Sequence, residues 1–279
     1  MRRLTRTAGI AVLLGSPVLL AGAGNRMTFH FMQIEQVIGG VAGDPAAQAV
    51  QLRMRAAGQN FVSQSRIVAY DAAGQNPVVL LDITSNVANG SGGDRVLIVS
   101  PGFDSSLTDP PLTPDFVMTS AIPESYLAAG RITFENNTGS QVLWSLAWGG
   151  DGYTGPNSGT FDNDNDGNFS PPYPGTLPSA GLDSLRFEGP FNAKSTNNAD
   201  DYTADGPAVL TNNARQSFTL VGPDECEADF NGDGNVNTQD VLAFLNAWTA
   251  GDSSADFNGD GNINTQDVLA FLNAWTAGC

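Results

Sequence analysis

The sequence predicts a mainly β protein, an antiparallel β-sandwich body followed by a small α-helical module. Three observations carry that prediction. Short apolar runs, punctuated by Gly, Asn and Pro, fill residues 24–222 without any long helical period. The last quarter contains one 24-residue segment written twice, at 228–251 and 255–278, with Val236 against Ile263 as the single difference. Within each copy the apolar spacing changes from that of a strand to that of a helix. The 279 residues allow one large or two smaller domains, and 41% hydrophobic residues are enough for a core. The boundaries that follow are a targeting segment at 1–23, a β-sandwich domain at 24–222 and the duplicated module at 223–279.

The N-terminus has the make-up of a secretory signal. Arg2, Arg3 and Arg6 precede a short apolar run at 8–20, and Ala21, Gly22 and Ala23 form a small-residue cleavage motif. Gly15, Ser16 and Pro17 interrupt the run, which is shorter than a bilayer-spanning helix requires. The expectation is a secreted, extracellular or cell-surface protein with no membrane insertion. Its formal charge is −17, with Lys194 the single lysine. Such a balance argues against nucleic acid and anionic membranes, which need a basic patch.

In the body, strands are expected at 27–38, 49–54, 65–70, 77–83, 95–100, 131–135, 141–148, 184–188 and 216–221. The run at 141–148 places Val142, Trp144, Leu146 and Trp148 on one face. About nine or ten strands at this spacing indicate a sandwich or barrel. The strand order from Ile34 to Trp148, through IEQV, AVQLRM, SRIVAYDAAG, DRVLIVSPGF and VLWSLAWGG, weakly resembles a lamin-tail-type, immunoglobulin-like sandwich.

The duplicated module is the most informative stretch. A calcium loop of EF-hand type takes ligands from positions 1, 3, 5, 7, 9 and 12, with Gly at 6. In the first copy these positions are Asp229, Asn231, Asp233, Asn235 (through its carbonyl), Asn237 and Asp240, with Gly234 at the turn. In the second they are Asp256, Asn258, Asp260, Asn262 (carbonyl), Asn264 and Asp267, with Gly261. Every donor is a hard oxygen, which suits Ca²⁺ and offers nothing soft for zinc or copper. Three carboxylates in one short loop repel one another unless a cation lies between them. Val236 and Ile263, at position 8, are expected to join the loops through a short strand contact. An amphipathic helix should follow each loop, carried by Val241, Leu242, Phe244, Leu245 and Trp248, and by Val268, Leu269, Phe271, Leu272 and Trp275. Gly251 and Gly278 are its expected stops.

Neither loop is preceded by a helical pattern, and position 12 is Asp in both. Loop then helix, duplicated, closely resembles a type I dockerin, specifically the Gly-Cys-ending variant of planctomycete-type secreted proteins. That resemblance implies a Ca²⁺-dependent module that docks to a cohesin-like or cell-surface partner. It also assigns partner choice to loop positions 10 and 11, here Thr238, Gln239, Thr265 and Gln266. The two cysteines, Cys226 and Cys279, bracket the module, and in an exported protein they read as a disulfide joining its ends. A bridge of that span stabilises by about 4 kcal/mol on the chain-entropy view. Attachment through the terminal Cys279 is the alternative.

Other candidate sites lie in the body. Asp162, Asp164 and Asp166, followed by Gly167, open like a third Ca²⁺ loop, but Tyr173 stands at position 12. The one histidine, His30, is expected in the first strand with a structural role, and it excludes a multi-His zinc centre. Glu35, Glu124, Glu135 and Glu188 are the carboxylates available to a glycoside hydrolase. No phosphate loop or dinucleotide fingerprint is present, so a non-catalytic structural or binding body is expected. The alternative is a polysaccharide-binding or polysaccharide-degrading protein. Sugar stacking would draw on Trp144, Trp148, Tyr153 and Tyr173, of which the two tyrosines, in Gly/Pro-rich loops, are the freer.

Overall fold

The computed structural model describes residues 29–157, 170–194, 197–222, 227–232 and 235–277. The targeting segment, the acidic loop at Asp162, Asp164 and Asp166, the residues Asp233 and Gly234, and both cysteines lie outside the described residues.

The chain is mainly β. In order, the strands are β1 (Met32–Ile38), β2 (Ala49–Met54), β3 (Ser65–Tyr70), β4 (Val78–Ile83), β5 (Arg95–Val99), β6 (Thr108–Asp109), β7 (Phe116–Val117), β8 (Gly130–Asn136) and β9 (Val142–Trp148). They continue as β10 (Ser184–Phe187), a one-turn helix α1 (Asn198–Asp201), β11 (Tyr202–Asp205), β12 (Val209–Thr211) and β13 (Ser217–Leu220). Two longer helices close the chain, α2 (Thr238–Ala250) and α3 (Thr265–Ala277). All nine strands expected from the sequence are present, most within a residue or two of their limits.

A six-stranded sheet, β11-β10-β1-β2-β5-β7, faces a four-stranded sheet, β4-β3-β8-β9. The pairings are antiparallel except β5 with β7. Between the sheets Met32, Ile34, Val50, Leu52 and Met54 meet Ile67, Ile132, Phe134, Trp144, Leu146 and Trp148, all fully buried. The polar ends of the large aromatics are satisfied within this core. Trp144 Nε1 donates to Tyr202 Oη at 2.8 Å, and Tyr202 Oη donates to the Ile34 carbonyl at 2.6 Å, tying β9, β11 and β1 together. Trp148 Nε1 donates to the Tyr126 carbonyl at 2.9 Å.

The sandwich has a third layer that alternation did not announce. A small sheet, β12-β13-β6, covers the other face of the six-stranded sheet. Ile38, Ala49, Leu97 and Val99 pack there against Leu107, Leu210, Phe218 and Leu220. Every residue of β1 and β2 is therefore buried, the polar ones included.

Of three register shifts among the described strands, two bear on the candidate residues. In β1, Ile34 pairs with Leu52 and Gln36 with Gln51, so Glu35 is the extra residue. In β9, Phe134 faces Trp144 and Glu135 faces Val142, leaving Leu143 unpaired. Leu143 consequently enters the core while Val142 is only half-buried, a departure from the single face expected of 141–148.

The hydrophobic cores of the body are built from residues 29–220. A fourth cluster, around Phe244, Ala255 and Phe271, belongs to the duplicated segment and shares no residue with them.

Candidate metal-binding and docking site

The four phenylalanines of the duplicated segment form its centre. Phe244 and Phe271 stack with ring centroids 4.3 Å apart and planes 7° from parallel. Phe230 and Phe257, each at position 2 of its loop, close edge-on against both rings at 5.3–6.0 Å. The arrangement has the internal two-fold symmetry of the sequence repeat.

Each helix starts on a residue the sequence marks as a candidate loop ligand. Asn237 is the N-cap of α2; its side-chain oxygen accepts from Gln239 N at 2.8 Å, while its own N–H donates to Asp240 Oδ2 at 2.8 Å. This is a capping box in which Asp takes the place of Glu. Asn264, Gln266 and Asp267 repeat it at 2.8 and 2.7 Å. Positions 9 and 12 thus end the loop and start the helix with the same side chains. Asp240 and Asp267 are buried, and each also accepts from the position 3 amide at 3.2 Å. The backbone N–H of Asn237 holds the Asp240 carboxyl below the usual carboxylate range, and that of Asn264 does so for Asp267. Gly251 stops α2 in the left-handed conformation, φ 69°, as expected.

The second loop is described in full. Asp256 sits at its focus, accepting from Asp260 N at 3.1 Å and Gly261 N at 2.8 Å. Asn258 and Asp260 accept from the next amides but one. Gly259 and Gly261 have φ of 69° and 82°, with open space where a Cβ would stand, so glycine is needed there for conformation and not for room. Position 4 was not read from the sequence as a turn glycine, although Gly232 and Gly259 both take left-handed φ. The donors fit Ca²⁺ in kind: every ligand position in the loop supplies oxygen, and the backbone curls around the first of them. Among the described residues, no three Asp, Glu, His or Cys side chains converge tightly enough to define a metal centre, so the ligand set rests on donor type, spacing and loop curvature.

Two expectations for the module change. Val236 and Ile263 lie in no strand or β-bridge; Ile263 packs on the phenyl cluster instead. Besides the phenyl stack, an exchange of tryptophans joins the two halves. Trp248 Nε1 donates to the Asn264 carbonyl and Trp275 Nε1 to the Asn237 carbonyl, both at 2.9 Å. Both indoles are also half-buried against the phenyl cluster, as expected of core residues. Leu242, Leu245, Leu269 and Leu272 do not join the core; Leu242 and Leu269 are 62% and 61% exposed. The phenyl stack is narrow, so it is reached by Val241, Phe244 and Trp248 but not by the flank of the helix. Thr238, Gln239, Thr265 and Gln266 are exposed at the same helix starts.

The body candidates are corrected too. His30 lies in a turn before β1, against the Phe31 ring at 3.9 Å, and not in the strand. Tyr153 is buried, its hydroxyl donating to the Pro156 carbonyl at 2.8 Å, and Tyr173 packs on the main core. Trp144 and Trp148 are fully buried, so Tyr173, half-buried, is the most open of the four sugar-stacking candidates. Glu35 is buried and clamped by Arg53 at 2.8 Å and by both arms of Arg95 at 2.7 and 2.9 Å. Glu135 is buried on the outer face of the four-stranded sheet, 3.5 Å from Arg66 and 3.3 Å from Tyr70 Oη. Glu124 is exposed, and Glu188 is an exposed partner of Arg186.

Residues 227–274 match the family model of the dockerin type I domain. The match covers the module and leaves the body unassigned. No curated protein matches the chain. Dockerin domains are protein-docking modules that bind cohesins, generally bind Ca²⁺ and are typical of extracellular proteins. The C-terminal segment is therefore a docking module, carried behind a β-rich body. Among the described residues, no helix is long and apolar enough to cross a membrane.

Proposed function

We propose that this is a secreted, non-catalytic protein whose C-terminal module, folded around one Ca²⁺ in each loop, docks the β-sandwich body to a cohesin-like partner. The observation that carries the reading is the pair of matching helix faces. Each presents a Thr-Gln pair and two leucines that the module's own core leaves exposed, Leu242 and Leu245 on α2, Leu269 and Leu272 on α3. Exposed leucines repeated at equivalent positions of a small module mark surface meant to be covered. The ions would be held by Asp229, Asn231, Asp233, Asn235, Asn237 and Asp240, and by Asp256, Asn258, Asp260, Asn262, Asn264 and Asp267. Bound Ca²⁺ supplies the positive charge that lets three carboxylates share one loop. The protein's contribution is to orient positions 9 and 12 through the caps and to set both helices on the phenyl stack.

Secretion is supported by the basic and apolar pattern of residues 1–23 and by the dockerin match. A structural or ligand-presenting role for the body is supported by the burial of Trp144, Trp148 and Tyr153 and of two of its four candidate glutamates. The test passes the full chain over immobilised cohesin domains in Ca²⁺ and again in a chelator. Retention should need Ca²⁺ and should fall at least ten-fold in Leu242→Asp/Leu269→Asp. Retention indifferent to both would sink the reading.

A further inference from the structure

Each half of the module ends by gripping the other half's ion loop. The Trp275 indole, in the last turns of α3, reaches the carbonyl of Asn237, the residue where loop one becomes α2. Trp248 does the same to Asn264, where loop two becomes α3. These carbonyls also accept from Asp240 N at 3.3 Å and Asp267 N at 3.2 Å, so the indole bond lands on the backbone that aims the position 12 carboxylate. The connections form a ring. Loop one sets the start of α2, the end of α2 holds loop two, loop two sets the start of α3, and the end of α3 holds loop one. The stacked Phe244 and Phe271 lie at its centre.

We propose that Trp248 and Trp275 are reciprocal positioning residues that make the two ion loops bind as one cooperative unit. An empty loop leaves its helix start undefined, and that helix then carries its tryptophan out of register with the opposite loop. The second ion meets a loop already ordered by the first, which is positive coupling between sites. Because both bonds use the indole N–H, Phe at these positions keeps an aromatic ring and removes the link. The inference rests on the proposed Ca²⁺ loops.

Calcium itself is the probe, titrated calorimetrically into the full chain. The wild type should take up two ions in the module with a Hill coefficient above one. Disabling loop two with Asp256→Ala should weaken loop one about five-fold, the scale of one hydrogen bond. In Trp248→Phe/Trp275→Phe the coefficient should fall to one, and adding Asp256→Ala should leave loop one unchanged. Coupling that survives in the Phe double variant overturns the proposal. Two independent ions in the wild type overturn it alone, whereas no Ca²⁺ uptake by either loop overturns the proposed function with it. Should the Phe double variant not fold, Asp256→Ala in the wild-type background still decides: an unaltered loop one overturns the coupling, and a weakened one supports it.

Discussion

Glu35 illustrates what one residue's setting decides. In the sequence it is one of four carboxylates available for chemistry. In the fold it is the extra residue of a bulge, turned beneath the third sheet where Arg53 and Arg95 close on it. Gln51 Nε2 adds a fourth donor at 2.8 Å. Burial draws the Arg53 guanidinium down from its ordinary value, and Glu35 opposes that shift. Removing the carboxylate leaves two poorly solvated guanidiniums facing each other. Glu35→Ala is expected to cost about 3–5 kcal/mol, seen as a lower denaturation midpoint with an unaltered slope. A loss below about 1 kcal/mol would show that water or a neighbour takes over. Asp94 supplies the pH counterpart. Its hydrogen bond from Arg215, at 2.9 Å, holds its carboxyl below the ordinary range. That contribution is complete above the unfolded pKa of about 4 and is lost as pH falls through the folded value. Arg215 is largely exposed, so solvent screens the pair and the effect is small. Wild type should therefore lose more stability than Arg215→Ala on acidification from about pH 5, and superimposable acid limbs would refute the link. No residue pattern announces a bulge, so the setting of Glu35 could not be read in advance; the Asn-x-x-Asp capping boxes at Asn237 and Asn264 could have been.

At the scale of elements, legibility follows how much of an element's identity is local. β2 and β3 were found at their observed limits because alternation and flanking turn residues define them. β6, β7, β11 and β12 were missed. They have two to four residues each; β6, β7 and β11 form because a partner far along the chain offers backbone groups, and β12 is a three-residue arm of a hairpin with β13. The third layer was missed for a different reason: β2 alternates as though one face met solvent, yet its Gln51 and Arg53 are buried. In the module, periodicity found both helices but over-counted their apolar faces, because the phenyl stack admits only part of each. The stack also predicts where the module fails. Phe244→Ala empties the central position and should cost about 3–5 kcal/mol. In far-ultraviolet circular dichroism the helical signal should melt earlier while the β signal of the body keeps its midpoint. A common shift of both would mean that body and module unfold together.

The whole molecule joins a β body with hydrophobic clusters of its own to a handle whose core is four phenyl rings, two half-buried indoles and a few aliphatics. So small a core does not hold six acidic side chains in two loops without help. Twelve candidate ligand positions can be proposed from the sequence because donor type and spacing are written twice; the tryptophan exchange could not be, because it depends on how two helices cross. The charge of −17 adds a general repulsion that divalent ions relieve. Chelation should accordingly lower the helical signal of the full chain and leave its β signal in place, and a spectrum indifferent to chelator would count against metal-coupled folding. The most direct test of the central claim is a count of bound Ca²⁺ on the full chain, by equilibrium dialysis, for wild type and Asp229→Ala/Asp256→Ala. The account predicts that the double variant holds two fewer ions per chain; an equal count in the two proteins would contradict it.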